Sequence, residues 1–214
     1  MDKNDKNYKK TIIGKRIAKE LKEGDFVNLG IGLPTEVANH IPEGIRVTFQ
    51  SENGMLGVGP TPNAGETDQM LINAGGGFIT ELPGCSYLDS ASSFAVIRCG
   101  HIDVTVLGAL EVDQHGNLAN WMIPGKLVPG MGGAMDLVCG AKKVIVATEH
   151  TDKNGNSKIL RQCSLPLTAK GKVSMIVTDM AVFKIENGKL HLVEVLDDYT
   201  LEDVKKATDA EFTS

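Results

Sequence analysis

Hydrophobic residues recur at two different spacings along this chain. Helical spacing occurs over residues 8–23, where Gly24 is placed to end the helix, and again over residues 90–98 and 133–139. Pro34 is placed to open a further short helix that runs through Val37 and Ala38. These segments lie between stretches of a different character.

Short β-branched and apolar runs predict the strands. They cover residues 26–29, 45–50, 77–80, 103–107 and 143–148. Because strands and helices alternate, we expect a layered α/β/α fold with a mostly parallel sheet.

The last forty residues follow a different pattern. Two apolar runs, 182–185 and 190–193, flank Asn187-Gly188, which predicts a β-hairpin. Thr200 with Asp203 then predicts the N-terminus of a last helix that ends near Ala207. No linker, repeat or low-complexity stretch interrupts the chain, so residues 1–214 are predicted to form a single domain.

Composition narrows the possible partners. The 214 residues carry a net charge of -5 without any long basic run, which argues against nucleic-acid binding. The four cysteines lack metal-ligand spacing and are interpreted as reduced, mostly buried thiols. The charged first ten residues and the lack of any long apolar run predict no signal peptide, no membrane segment and a cytoplasmic location.

Glycines cluster at four places, which indicates turns where the backbone approaches something closely. The turn with Gly30 and Gly32 resembles a dinucleotide loop, but the third glycine is missing and Pro34 follows, so a tight strand–helix turn is an equal interpretation. Residues 75–77 are interpreted as a flexible turn. No Gly-Lys-Ser/Thr follows either run, which excludes a P-loop.

The third cluster contains a candidate catalytic carboxylate. Glu52 follows a predicted strand and precedes Gly54, Gly57 and Gly59. Ligands bind at such strand ends in α/β sheets, whereas an isolated glutamate in a turn is more often a solvated surface residue. The three nearby glycines favour the functional interpretation.

The fourth cluster is the nearly uncharged segment 123–136, in which Gly132 and Gly133 precede a predicted helix. Consecutive glycines at such a position expose backbone N–H groups that can hold a developing negative charge. A buried loop packed under the sheet is the alternative. The five histidines show no pairing pattern, and there is no Gly-x-Ser-x-Gly nucleophile motif.

Taken together, these motifs resemble a known family over residues 8–212. The Ser-Glu-Asn-Gly turn at 51–54, the Gly-rich segment 28–34 and the Gly-Met-Gly-Gly-Ala-Met-Asp segment 130–136 are similar to the β subunit of family I CoA-transferases. The match is to the 3-oxoacid type, which includes acetoacetate, butyrate–acetoacetate and succinyl-CoA enzymes. The resemblance implies the layered fold that sugar-phosphate isomerases share.

The resemblance also implies a mechanism. Glu52 would attack an acyl-CoA to give an acyl–glutamyl anhydride and then a glutamyl-CoA thioester, with ping-pong kinetics. A glutamate carboxylate is ionised at neutral pH, so it needs no general base. A backbone N–H at Gly133 would stabilise the oxyanion. Substrate contacts are implied at Asn28, Gly30, Gly32, Asn53, Gly54 and Ala134.

The family resemblance makes this chain half of an enzyme. It lacks the Gly-Gly-Phe-Gly motif of the other subunit, which implies an α partner, an α2β2 assembly and an oxyanion-hole side chain supplied by that partner. CoA is then a substrate, and neither a metal nor another cofactor is needed. Two alternatives stay open: an isomerase of similar fold that uses the carboxylate as a base, and a non-catalytic module that retains the turn.

Overall fold

The computed structural model describes residues 5–126, 128 and 130–214 of the chain. Leu127 and Pro129, in the fourth glycine cluster, lie outside the described residues. Four α-helices and one 3₁₀ helix flank the strands. The helices are α1 (Lys6–Ala18), the 3₁₀ helix (Leu33–His40), α2 (Ser90–Arg98), α3 (Ala134–Gly140) and α4 (Leu201–Ala207).

The described residues form twelve strands in two sheets. The strands are β1 (Phe26–Leu29), β2 (Thr48–Ser51), β3 (Met55–Val58), β4 (Glu81–Tyr87), β5 (Val104–Gly108), β6 (Glu111–Asp113), β7 (Leu118–Ala119), β8 (Lys143–Ala147), β9 (Ile159–Leu160), β10 (Met175–Val177), β11 (Ala181–Glu186) and β12 (Lys189–Val195).

Nine strands make the central sheet, in the order β12-β11-β10-β8-β5-β1-β2-β3-β4. The five middle strands, from β10 to β2, are parallel, and an antiparallel pair extends the sheet on each side. Strands β7, β6 and β9 form a separate small sheet. The predicted α/β fold around a parallel sheet is therefore confirmed, with antiparallel edges added.

Each face of the central sheet has its own apolar layer. On one face, Ile13 and Ile17 of α1 and Val37 of the 3₁₀ helix pack against alternate residues of the strands. On the other face, helices α2, α3 and α4 contribute a second set of buried side chains, which includes Ile97, Leu137, Val138 and Val204. Alternate strand residues point to opposite faces, so the parallel strands are apolar on both sides.

The first helix is shorter than predicted. It ends at Ala18 instead of Glu23, because the N–H groups of Glu20 and Leu21 bond back three residues and tighten the chain into a turn. This turn brings Leu21 into the core. Gly24 serves the next turn, where its φ is +84° and its N–H bonds to the carbonyl of Arg46.

Two strand predictions need correction. The strand predicted over residues 45–50 begins only at Thr48. No strand covers residues 77–80, because the N–H groups of Ile79 and Thr80 bond within a loop, to Leu71 and Pro60. The extended segment of this region is β4, which the apolar pattern did not show.

The interpretation of the cysteines as mostly buried is also wrong. All four are free thiols, but Cys99 and Cys139 are exposed, and Cys85 and Cys163 are half-buried. Cys99 caps the end of α2 and Cys139 lies in the last turn of α3, on the solvent side of these helices.

The predictions for the last forty residues are confirmed. Strands β11 and β12 pair through Asn187 and Gly188, whose φ values of 52° and 73° are those of a tight hairpin turn. Thr200 and Asp203 form a capping box at the start of α4. In the described part of the chain, no helix is both long enough and apolar enough to cross a bilayer.

His150 links α4 to the central sheet. It is completely buried, with Nδ1 2.9 Å from the hydroxyl of Thr178 and Nε2 2.8 Å from that of Thr208. Burial lowers the pKa of His150 to about 4, because the charged imidazolium is penalised away from water. The neutral ring is therefore the form that holds this junction together.

We expect this histidine to make folding sensitive to acid. Below its ordinary pKa of 6.5 the unfolded chain takes up the proton first, so stability is lost as pH falls from 6.5 towards 4. The loss amounts to roughly 3 kcal/mol. Urea unfolding across this range should show a shallower pH dependence for His150→Gln. The exposed-histidine control His101→Gln should keep the wild-type slope, and equal slopes for all three proteins would contradict the assignment.

Candidate active site

Glu52 lies where the parallel part of the sheet ends. It follows β2 directly and occupies the turn to β3. Strands β1 and β5 end at the same edge, because they run parallel to β2. The candidate nucleophile therefore stands at the carboxyl edge of the sheet, where α/β folds place their ligand sites.

The turn that carries Glu52 is fixed from outside. The N–H of Gly54 bonds to the carbonyl of Ser51 over 3.0 Å, and the carbonyl of Gly54 accepts from Leu88 over 2.8 Å. Gly54 has a φ of +135°, and a Cβ on it would collide with the carbonyl oxygen of Leu88. Only glycine fits here, since both the backbone conformation and the contact exclude a side chain.

Asn28 reaches the carboxylate of Glu52. Its Nδ2 lies 3.1 Å from Glu52 Oε2, and the Asn28 side chain is completely buried at the end of β1. Glu52 itself is half-buried. A buried amide donor next to a carboxylate holds that carboxylate in one orientation, so the structure brings these two sequence-predicted residues together.

Gly133 lies against the other side of Glu52. A Cβ on Gly133 would stand 3.2 Å from Glu52 Cγ and 3.5 Å from the ring of Phe94. The N–H of Ala134 is already engaged, because it donates to the carbonyl of Met131 over 3.1 Å. Among the hydrogen bonds between described residues, none uses the Gly133 N–H as donor. Of this pair, Gly133 therefore has the N–H that can face a reacting group.

The other predicted contacts hold the surroundings in place. Gly30 donates its N–H to the carbonyl of Val106 over 2.8 Å, and Gly32 has a φ of +86° at the start of the 3₁₀ helix. Asn53 is exposed and donates from Nδ2 to the carbonyl of Ile72 over 2.8 Å. Gly30 and Asn53 thus have their N–H and amide groups committed to the protein, whereas Gly32 lines the open space described next.

A cleft of about 1270 Å³ opens beside the carboxylate. Its lining includes Ile31, Gly32, Glu52, Gly75 and Phe78. The turn over residues 75–77, predicted to be flexible, is closed by Asn73, whose Oδ1 accepts from the N–H groups of Gly75 and Gly77. The cleft is large enough for an extended organic ligand.

Sequence reasoning missed two polar residues behind Glu52. Gln50 precedes it by two positions on β2, and Ser93 lies on α2; both are buried. Gln50 was detectable as a polar residue in an apolar strand, on the same face as Glu52. Ser93 offered no comparable signal, since serine is common in helices and only the fold places it here.

The described residues contain no group of three or more histidine, cysteine or acidic side chains arranged to hold a metal ion. The candidate site is therefore built from one carboxylate, two side-chain amides, a hydroxyl and backbone N–H groups.

Comparison with known proteins gives consistent matches. The family described as Coenzyme A transferase matches residues 10–207. One of the two subunits of the succinyl-CoA:3-ketoacid coenzyme A transferase of Helicobacter pylori strain ATCC 700392 / 26695 is 59% identical over 198 residues, which cover 92% of this chain and 95% of that protein. The beta subunit of the acetate CoA-transferase of Escherichia coli K12 is 57% identical over 203 residues, which cover 95% and 93% of the two chains.

A solved structure shares the fold. The acyl-CoA transferase of Escherichia coli O157:H7, in a thioester complex with CoA, superposes with a TM-score of 0.73 at 23% identity. The match covers 96% of this chain and 41% of that one. At this identity the match establishes a common architecture.

The Gly54 turn gives a test of how tightly the site is built. We expect Gly54→Ala to lower the free energy of unfolding by at least about 3 kcal/mol, because the new methyl group meets the Leu88 carbonyl. Gly65→Ala is the matched control, since Gly65 has a φ of +88° but no neighbour within 4 Å. That control should cost about 1 kcal/mol in urea unfolding. Equal losses for the two variants would show that the Leu88 contact does not constrain the turn.

Proposed function

The chain belongs to the coenzyme A transferase family, and on that premise we propose that Glu52 is its covalent nucleophile. The proposed reaction moves CoA between a short-chain or 3-oxo acyl-CoA and a carboxylic acid. The observation that carries the proposal is the position of the Glu52 carboxylate, held 3.1 Å from Asn28 Nδ2 and next to Gly133 at the cleft. Family membership favours this reaction over the isomerase and the non-catalytic interpretations.

The proposed sequence has three steps. A Glu52 carboxylate oxygen attacks the thioester carbonyl, the C–S bond breaks, and CoA leaves as a thiolate from an acyl–glutamyl anhydride. The thiolate then attacks the glutamyl carbonyl, which releases the first carboxylate and forms glutamyl-CoA. A second carboxylate reverses both steps and leaves as its CoA ester. One thioester replaces another, so the reaction needs neither ATP nor a metal.

Two groups would lower the barriers of these steps. Carboxylate is a weak nucleophile, so placement and stabilisation of the oxyanion must supply most of the rate. The N–H of Gly133 faces this region, and one oxyanion donor is worth roughly 2.7–4 kcal/mol. Asn28 would hold Glu52 Oε2 so that the other oxygen is presented to the acyl group.

We also propose an α partner for this chain, in an α2β2 assembly. The two relatives described above are each one subunit of their enzyme, and the second is designated beta, which is what a two-subunit enzyme requires. Strand β4 lies at the edge of the sheet and is exposed on both faces, with Tyr87 58% and Leu82 38% exposed. An exposed edge strand with bulky side chains is typical of a surface that a partner covers.

The acids handled by this chain are proposed from the same relatives. Their names specify succinyl-CoA with a 3-ketoacid in one case and acetate in the other. We therefore propose small aliphatic or 3-oxo acids as its acceptors.

The covalent intermediate can be tested by mass spectrometry. The chain, co-purified with its α partner and briefly incubated with acetoacetyl-CoA, should gain the mass of CoA minus water at Glu52. Added carboxylic acid should remove this gain. Glu52→Ala should show no adduct and should transfer CoA at least roughly 1000-fold more slowly. Glu43→Ala, which removes an exposed loop carboxylate, is the matched control and should behave as wild type.

Transfer at the wild-type rate by Glu52→Ala, in a folded and associated complex, would overturn the mechanism. Glu52→Gln is a weaker test, because slow deamidation regenerates the glutamate.

A further inference from the structure

A chain of buried polar groups lies under α2, behind the candidate nucleophile. Asn28, Gln50 and Ser93 are 0%, 3% and 0% exposed, and they occupy an otherwise apolar layer. Polar groups at such positions cost stability unless they are hydrogen-bonded, so their bonds indicate what holds them there.

These groups form a closed ring that begins and ends at Glu52. Ser93 Oγ donates to the main-chain carbonyl of Glu52 over 2.9 Å. Gln50 Nε2 lies 3.2 Å from both the main-chain oxygen and the hydroxyl of Ser93. Gln50 Oε1 accepts from Asn28 Nδ2 over 3.1 Å, and the same Nδ2 donates to Glu52 Oε2 over 3.1 Å.

The ring has one polarity, and Ser93 sets it. A main-chain carbonyl can only accept, so Gln50 must turn its NH₂ group towards Ser93 and its oxygen towards Asn28. Asn28 must then present its own NH₂ group to that oxygen. The reverse orientation of either amide would place two oxygen atoms against each other.

The surroundings of the Asn28 amide agree with this polarity. Its Nδ2 also lies 3.3 Å from the main-chain oxygen of Gln50, so its three neighbours are all acceptors. Asn28 Oδ1 is buried and has no hydrogen-bond partner among the described residues. The amide is therefore oriented by what faces Nδ2.

We propose that Gln50 is a positioning residue for the transferase reaction. Together with Ser93 it fixes the polarity of the Asn28 amide, and this keeps an N–H donor on the Glu52 side chain. This inference rests on the proposed role of Glu52 as nucleophile. The donor orients the carboxylate before attack and faces the same oxygen after Glu52 has become an ester-like carbonyl.

Gln50→Leu tests the proposal, because leucine is similar in size and can orient no amide. With the α partner present, we expect kcat for CoA transfer to fall about 10- to 100-fold. The KM for acetoacetyl-CoA should stay within about 2-fold, since Gln50 makes no proposed contact with substrate. Thr105→Val is the matched control. Thr105 is a buried residue opposite Asn28 on β5, its hydroxyl has no partner among the described residues, and its kcat should be unchanged.

A double-mutant cycle separates positioning from general structural support. If Gln50 acts through Asn28, then Gln50→Leu should change kcat by less than about 2-fold in an Asn28→Ala background. Losses that multiply in the double variant would show that Gln50 acts independently of Asn28, and would overturn the proposal.

Ser93→Ala provides a variant that removes only one oxygen atom. It keeps the main-chain carbonyl that orients Gln50, so the polarity of the ring survives, and we expect only about a 3-fold loss in kcat. If Gln50→Leu does not fold, Gln50→Glu takes its place in the cycle, because an ionised carboxylate cannot donate to the Ser93 carbonyl.

The outcomes also separate this inference from the proposed function. A wild-type complex that neither transfers CoA nor forms the Glu52 adduct would remove the proposed function itself. A wild-type complex that does both, alongside a folded Gln50→Leu variant of equal kcat, would remove only the role of Gln50.

Discussion

The candidate site depends on how the chain reverses between β2 and β3. A parallel strand ends there and an antiparallel one begins, so four residues must change direction within the sheet. Gly54 makes this possible, because its φ of +135° is closed to other residues and the Leu88 carbonyl occupies the space of a side chain. A turn held so tightly leaves the Glu52 backbone little freedom, and the carboxylate inherits that order.

Helix α2 then ties the two halves of the site together. Ser93 holds the main chain of Glu52, whereas the next residue, Phe94, packs where a Gly133 side chain would be. Arg98, one turn further, stacks 5.6 Å from the Phe94 ring centre and forms an ion pair with Asp136 of α3 over 2.7 Å. One short helix therefore sets the spacing between the carboxylate and the proposed oxyanion donor, which come from segments about eighty residues apart.

The elements with strong local patterns could be predicted from the sequence. Strand β1, helix α2, the Asn187-Gly188 hairpin and the capped helix α4 all carry their own spacing, turn or capping residues. Strand β4 could not, because an exposed edge strand needs no apolar alternation. At the site, the motifs pointed to Glu52, Asn28 and Gly133, but Gln50 and Ser93 matter through contacts over 22 and 41 residues, which no local pattern records. The single-domain, α2β2 and site-role assignments stay predictions.

The buried amides explain why this site interrupts an apolar fold. Asn28 and Gln50 are buried in a sheet whose interior positions are mostly valine, isoleucine and leucine, and the ring spares them most of the cost of burial only if every donor faces an acceptor. A polar ring that is complete has a single low-energy arrangement, whereas a solvated carboxylate has many. Because a weak nucleophile gains rate chiefly from placement, the same hydrogen bonds that make the polar layer tolerable also define where Glu52 can react.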